Sequence, residues 1–142
     1  MTVKNISKII KLCYENYDKK TMAHVLRVAD YALNNILANS IERDVLYITA
    51  LCHDLIEDTN ICIEDIRKIL EPYNSQSVIN ALTLLTKPIG MDYIEYIKQI
   101  KSSNNKLAVC VKFADMKDHL MEKETLTDKL KEKYLNALPY LL

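Results

Sequence analysis

Apolar residues recur at helical intervals along most of this chain. In residues 2–16 (TVKNISKIIKLCYEN), Ile6, Ile9, Ile10, Cys13 and Tyr14 fall on one face of an amphipathic helix. A second helix is predicted to begin near Asp18 or Thr21 and to run to about Asn39, with Val25, Val28, Ala29, Ala32, Leu33, Ile36 and Leu37 as its apolar positions. A third begins near Asp44, a candidate N-cap, carries Val45, Leu46, Ile48, Leu51, Leu55 and Ile56, and ends in the polar stretch EDTN. A short helix over 63–71 stops at Pro72. Ser75 or Ser77 caps the next, which runs through VINALTLLT and is ended by Pro88 and Gly90. MDYIEYIKQIK and NKLAVCVKFADMKDHL read as two further helices joined by SSNN. The last, from about Thr127 to Leu138, turns Leu130, Tyr134, Leu135 and Leu138 to one side.

No segment alternates with the period of two that a strand needs. The expectation is one all-α domain over residues 1–142, a bundle of about seven or eight helices. Composition points the same way. One glycine and three prolines among 142 residues leave little material for tight turns, and 49% hydrophobic residues suffice for a real core. The apolar faces of the first and last helices either close that core or offer a homodimer contact.

A formal net charge of +0 argues against a binder of nucleic acid polymers, which needs a basic surface to neutralise phosphates. A nucleotide-sized substrate is compatible with it, because a local group of lysines would suffice. No apolar run is long enough for a membrane span, and no secretory signal is evident. Cys13, Cys52, Cys62 and Cys110 show no paired spacing, and each lies in an apolar pattern that suits a small buried thiol. A reducing, cytoplasmic setting is expected.

One stretch contradicts the apolar logic of its helix. LCHDLIEDTN (51–60) inserts His53, Asp54, Glu57 and Asp58 into an otherwise buried run. In a continuous helix, Asp54, Glu57 and Asp58 share a face at i, i+3 and i+4. Unpaired charges are costly to bury, and a divalent metal is an economical partner for them. Imidazole with carboxylate suits Mn, Fe or Zn, and Mg less readily. Two other places repeat the anomaly: His24 in TMAHVLRVADYAL, and Asp115 after the apolar run in LAVCVKFADMKDHL. Each feature alone has a plainer explanation. A lone histidine is more often a hydrogen-bonded core residue, Asp115 could pair with Lys112, and Glu57 and Asp58 could be a solvated helix end. Taken in order, however, His24, His53, Asp54 and Asp115 make a mixed shell of two histidines and two carboxylates.

That order, together with HVLRVADYA and ALCHDLIEDT, resembles the HD superfamily of metal-dependent phosphohydrolases. Within it, HD-x-x-E-D-T resembles the hydrolase domain of the RelA/SpoT group and its small stand-alone relatives, which remove the 3′-pyrophosphate from guanosine tetra- and pentaphosphate. LTLLTKP (82–88) and IEYIKQIKSSNNKLAVCVKFADMKDHL resemble further segments of that group, so the likeness spans roughly residues 17–120. The resemblance implies that His24, His53, Asp54 and Asp115 hold one metal, typically Mn2+. It implies that Glu57 and Asp58 orient or deprotonate the attacking water. It also places Lys20, Thr86, Lys87, Lys112 and His119 near a nucleotide substrate.

The chain departs from the group's pattern around the nucleoside. KKTMAHVL stands where the group has Gly-x-Pro-Tyr-Ile-x-His-Pro, and the upstream arginine has only Lys19 and Lys20 for a counterpart. Arg27 follows the first histidine by about one turn, as in generic HD enzymes. A-D-R-L-x-N becomes ADMKDH, so Met116 replaces an arginine and His119 an asparagine. The metal shell is therefore a firmer expectation than the substrate. Another nucleotide, or a weakly catalytic nucleotide-sensing module, is the alternative.

Overall fold

Helix boundaries follow local capping chemistry. The computed structural model describes residues 3–71 and 76–142, with side chains from residue 5 onward, so Thr2, Pro72 and Ser75 lie outside the described residues. Nine α-helices are present among them: α1 (Val3–Asn16), α2 (Lys19–Leu33), α3 (Arg43–Cys52), α4 (Leu55–Asp58), α5 (Ile63–Leu70), α6 (Gln76–Leu85), α7 (Tyr93–Ser102), α8 (Lys106–Met121) and α9 (Asp128–Leu141). The fold is all-α, as the periodicity predicts. No helix among the described residues is long and apolar enough to cross a membrane.

The side chain of Asp18 accepts from the backbone N–H of Thr21 at 2.7 Å and starts α2. That helix stops at Leu33, short of the predicted Asn39. The Asn34 side chain donates to the Asp30 carbonyl, and the Asn35 side chain accepts from Leu37 N–H, opening a short 3-10 turn over Ile36–Ala38. Two adjacent asparagines thus draw the backbone away from the helical ladder. Ile36, predicted as apolar face, is left 79% exposed.

Glu42, without a side-chain bond, is the N-cap of α3; Asp44 lies within the first turn, where its charge still favours the helix N-terminus. The predicted continuous third helix breaks after Cys52. The ring Nδ1 of His53 donates to the Ala50 carbonyl at 2.6 Å, the acceptor that residue 54 would use if the helix continued. Asp54 then sits at the head of the four-residue α4. Farther on, Gly90 (φ +84°) turns the chain between α6 and α7, and Asn104 (φ +57°) does so between α7 and α8.

The core is one contiguous cluster, with α2 packed on α3 and α8, α3 also against α1 and α6, and α9 against α7 and α8. Besides Ile36 and Leu37, the predicted face positions Tyr14 and Leu135 turn outward: Tyr14 is replaced inside by Tyr17, whose hydroxyl donates to the Leu51 carbonyl, and Leu135 by Ala137 and Leu141. Cys62 is likewise exposed, at the N-cap of α5, where Asp65 accepts from its backbone N–H; Cys13, Cys52 and Cys110 are buried as expected. Leu51 lies fully buried in α3. Truncating it to alanine should cost about 2–5 kcal/mol, read as a lower denaturation midpoint at an unchanged slope.

Candidate metal centre

The packing of α2 against α3 and α8 brings four dispersed residues together. His24 comes from mid-α2, His53 and Asp54 from the break between α3 and α4, and Asp115 from α8. One donor atom from each lies within 4.8 Å of all the others, a grouping that could hold a metal ion. His24 Nε2 is 2.9 Å from Asp115 Oδ1 and 3.5 Å from Asp54 Oδ2. His53 Nε2 is 3.1 Å from the same Asp115 oxygen and 3.3 Å from the same Asp54 oxygen. Donors around one cation with bonds of about 2.1 Å would be separated by about 3.0–3.4 Å. The observed spacings fall close to that range.

Second contacts decide which ring nitrogen faces the cluster. A carbonyl can only accept, so the bond to Ala50 fixes the His53 proton on Nδ1. His24 Nδ1 lies 2.6 Å from Asp118 Oδ2, and a carboxylate acceptor fixes its proton there too. Both neutral rings therefore direct the Nε2 lone pair inward, as metal-ligating histidines do. Lone pairs facing carboxylate oxygens repel unless positive charge intervenes. In the metal-free cluster protons supply it. Burial disfavours a charged His53, yet the charge of Asp54 and the hydrogen bond to Asp115 prevail and push its pKa up to about 9. Against the same burial penalty, the hydrogen bond and charge of Asp115 raise His24 as well. Burial opposes ionisation of Asp115, but Lys112 and the neighbouring imidazoles hold its carboxyl well below the usual range. The donor types, spacings and tautomers all fit a divalent transition metal.

Asp118 escapes the sequence reading. It is buried, supports His24, and accepts from Arg27 Nε at 2.7 Å and Nη2 at 3.0 Å. Its signal was there: it lies one turn beyond Asp115 on the same helix, and Arg27 lies one turn beyond His24. Asp118→Asn should weaken metal affinity about 10–100-fold although Asp118 is not one of the four donors, measurable by calorimetric titration of Mn2+.

Two clefts flank the cluster, and Asp54, Asp58, His119 and Tyr134 line both. The first, about 540 Å³, adds Lys20, Thr21, Arg27 and Leu130. The second, about 520 Å³, adds Glu57, Lys87, Tyr93, Lys112 and Lys133. Of the predicted substrate residues, Lys20, Lys87, Lys112 and His119 line a cleft. Thr86 lines neither; its hydroxyl donates to the Leu82 carbonyl at the end of α6. Lys112 does not reach the surface. Its buried ammonium donates to Asp115 Oδ2 at 2.8 Å and sits 5.4 and 5.1 Å from the Tyr93 and Tyr96 rings. His119 Nε2 is 3.3 Å from Asp115 Oδ1, and its ring stacks on Tyr134 with centroids 4.9 Å apart. Nothing in the sequence marks Tyr93, Tyr96, Lys133 and Tyr134 as site residues, because each sits on a helix whose pattern explains it as core or solvated face.

Glu57 and Asp58 differ in environment. A Glu57 oxygen accepts the backbone N–H of Lys87, tying α4 to the α6–α7 turn. Burial first, and then the charges of Asp54 and Glu57, raise the Asp58 pKa. Comparison of the chain with family models and with curated proteins returns no match.

Proposed function

We propose that this chain is a metal-dependent phosphohydrolase of the HD type, acting in a reducing cytoplasm on a nucleotide that carries a 3′-pyrophosphate, as in guanosine tetraphosphate. The observation that carries this reading is the convergence of His24, His53, Asp54 and Asp115, with both imidazole tautomers set from behind. Those four residues would hold Mn2+ or another divalent transition metal, which when bound lowers the pKa of water and polarises a phosphoryl oxygen. Asp58, its proton affinity raised, suits the role of acceptor for the proton of the attacking water. Glu57 holds the Lys87 turn against it. Hydrolysis then forms a bond from the water oxygen to phosphorus and breaks the bond from phosphorus to the 3′ oxygen, which leaves as a hydroxyl by taking up the proton that Asp58 accepted, with pyrophosphate as the other product. The free state of all four thiols accords with a reducing compartment.

A second reading, hydrolysis of a different nucleotide, draws on Arg27. Its guanidinium is engaged by Asp118 and lies 3.4 Å from Glu122, leaving Lys20 as the other cation of the first cleft. A base-recognising arginine is thus not at hand there. The test is to incubate the Mn2+-loaded protein with guanosine tetraphosphate, nucleoside 5′-monophosphates and a nucleoside 2′-phosphate. Pyrophosphate and phosphate release are assayed separately. Pyrophosphate from the first compound is the expected result. Phosphate from the others alone would favour the second reading, and no turnover with metal bound would end both.

A further inference from the structure

The second cleft contains a group of cations that the metal shell does not explain. Lys87 enters from the α6–α7 turn, Lys112 from α8 and Lys133 from α9. Lys112 is paired with Asp115, and the Lys87 ammonium is held by the carbonyls of Met91 and Pro88. Lys133 has no carboxylate within ion-pair distance among the described residues; its ammonium rests 4.4 Å from the Tyr93 ring centre, beside the ring that Lys112 approaches from 5.4 Å. Partial desolvation, and then the like charges of Lys112 and Lys87, hold the Lys133 ammonium below the ordinary lysine range. Like charges gathered in one cleft are unfavourable unless an anion joins them. The carboxylates of the same cleft, Asp54, Glu57, Asp58 and Asp115, come from the α3–α4 segment and from α8, and two of them are metal donors. Once a divalent ion offsets those two, three lysines face only Glu57 and Asp58, which leaves the cleft with positive charge in excess.

We propose that Lys133, with Lys87 and Lys112, makes the second cleft a subsite for a diphosphate group, and that Lys133 sets the preference for diphosphate over monophosphate. This rests on the phosphohydrolase reading for its metal, but not for its measurement. Lys112 lies beside the metal donor Asp115, within reach of a phosphoryl group at the centre. Lys133 stands one aromatic ring farther out, on a different helix, where a second phosphoryl group would extend. Tyr134, the next residue of α9, stacks on His119, and the two rings line both clefts, so the stack forms part of the border between them.

The test is calorimetric, on the whole chain saturated with Mn2+, using inorganic phosphate and inorganic pyrophosphate as probes under conditions corrected for metal chelation. Wild type should bind pyrophosphate at least about tenfold more tightly than phosphate, the worth of one added charge-assisted contact. Lys133→Met should lose about that tenfold for pyrophosphate while changing phosphate and Mn2+ affinities less than about twofold, and Lys133→Arg should restore most of it. Lys133 is exposed, so the methionine variant should fold, which a circular dichroism melt verifies. Equal pyrophosphate affinity in wild type and Lys133→Met, or failure of wild type to prefer pyrophosphate, would overturn the subsite. Lys133-dependent pyrophosphate binding in a protein that hydrolyses none of the nucleotides would leave the subsite standing and remove the hydrolase reading.

Discussion

Asp58→Asn is expected to bind Mn2+ as tightly as wild type and to lose about 10²–10⁴-fold in turnover. Asp54→Asn should instead lose metal affinity by about a thousandfold, with activity falling alongside it at limiting metal. The contrast follows from position. Asp54 Oδ2 lies within 3.5 Å of both Nε2 atoms, so its charge belongs to the ion's shell. Asp58 lines both clefts but is not one of the four grouped donors. Burial and the neighbouring carboxylates raise its pKa, which brings the group nearer the neutrality that proton acceptance requires. Titration calorimetry for the metal and product release for turnover separate the two variants. Equal loss of metal in both would show that Asp58 is a ligand and not the acceptor.

The second large effect concerns pH. The folded-state pKa of His53 is pushed up to about 9, above the ordinary value of 6.5, so the metal-free fold gains stability from its proton. That contribution is fully present below pH 6.5 and is lost as pH rises through 9; the imidazole of His24 shifts in the same direction. For a buried ring the loss is on the order of 3 kcal/mol. Metal binding needs the same nitrogens deprotonated, so affinity should rise over that interval. Urea unfolding at pH 6, 7.5 and 9 should therefore show falling stability without metal, and little or no fall with saturating Mn2+. Two parallel curves would mean that protons and metal do not compete for one cluster.

How much of this was legible in the sequence varies with range. The helical periods, a start of the second helix near Asp18 and the order of His24, His53, Asp54 and Asp115 depend on residues within a few turns of one another or on residue type alone, and they are readable. Apolar counting carries α2 past its true end because it ignores Asn34 and Asn35, whose side chains compete for backbone bonds. The break at His53 was missed for a related reason: a polar ring displaced a ladder bond. Residues such as Asp118, Lys133 and Tyr134 carried weak local signals, since each fits an ordinary helix surface or core position.

Hydrophobic spacing and chain chemistry alone determined that this is an all-α protein and which side chains were out of place in apolar surroundings, His24, His53, Asp54 and Asp115 among them. Helix packing alone decided that those four meet within 4.8 Å, that Asp118 and Ala50 orient the two imidazoles, and that α9 brings Lys133 to the cationic cleft. The division has a simple cause. Secondary structure is written in contacts between near neighbours. A site assembled across α2, α3, α8 and α9 depends on where one helix face comes to rest on another, and no local pattern records that.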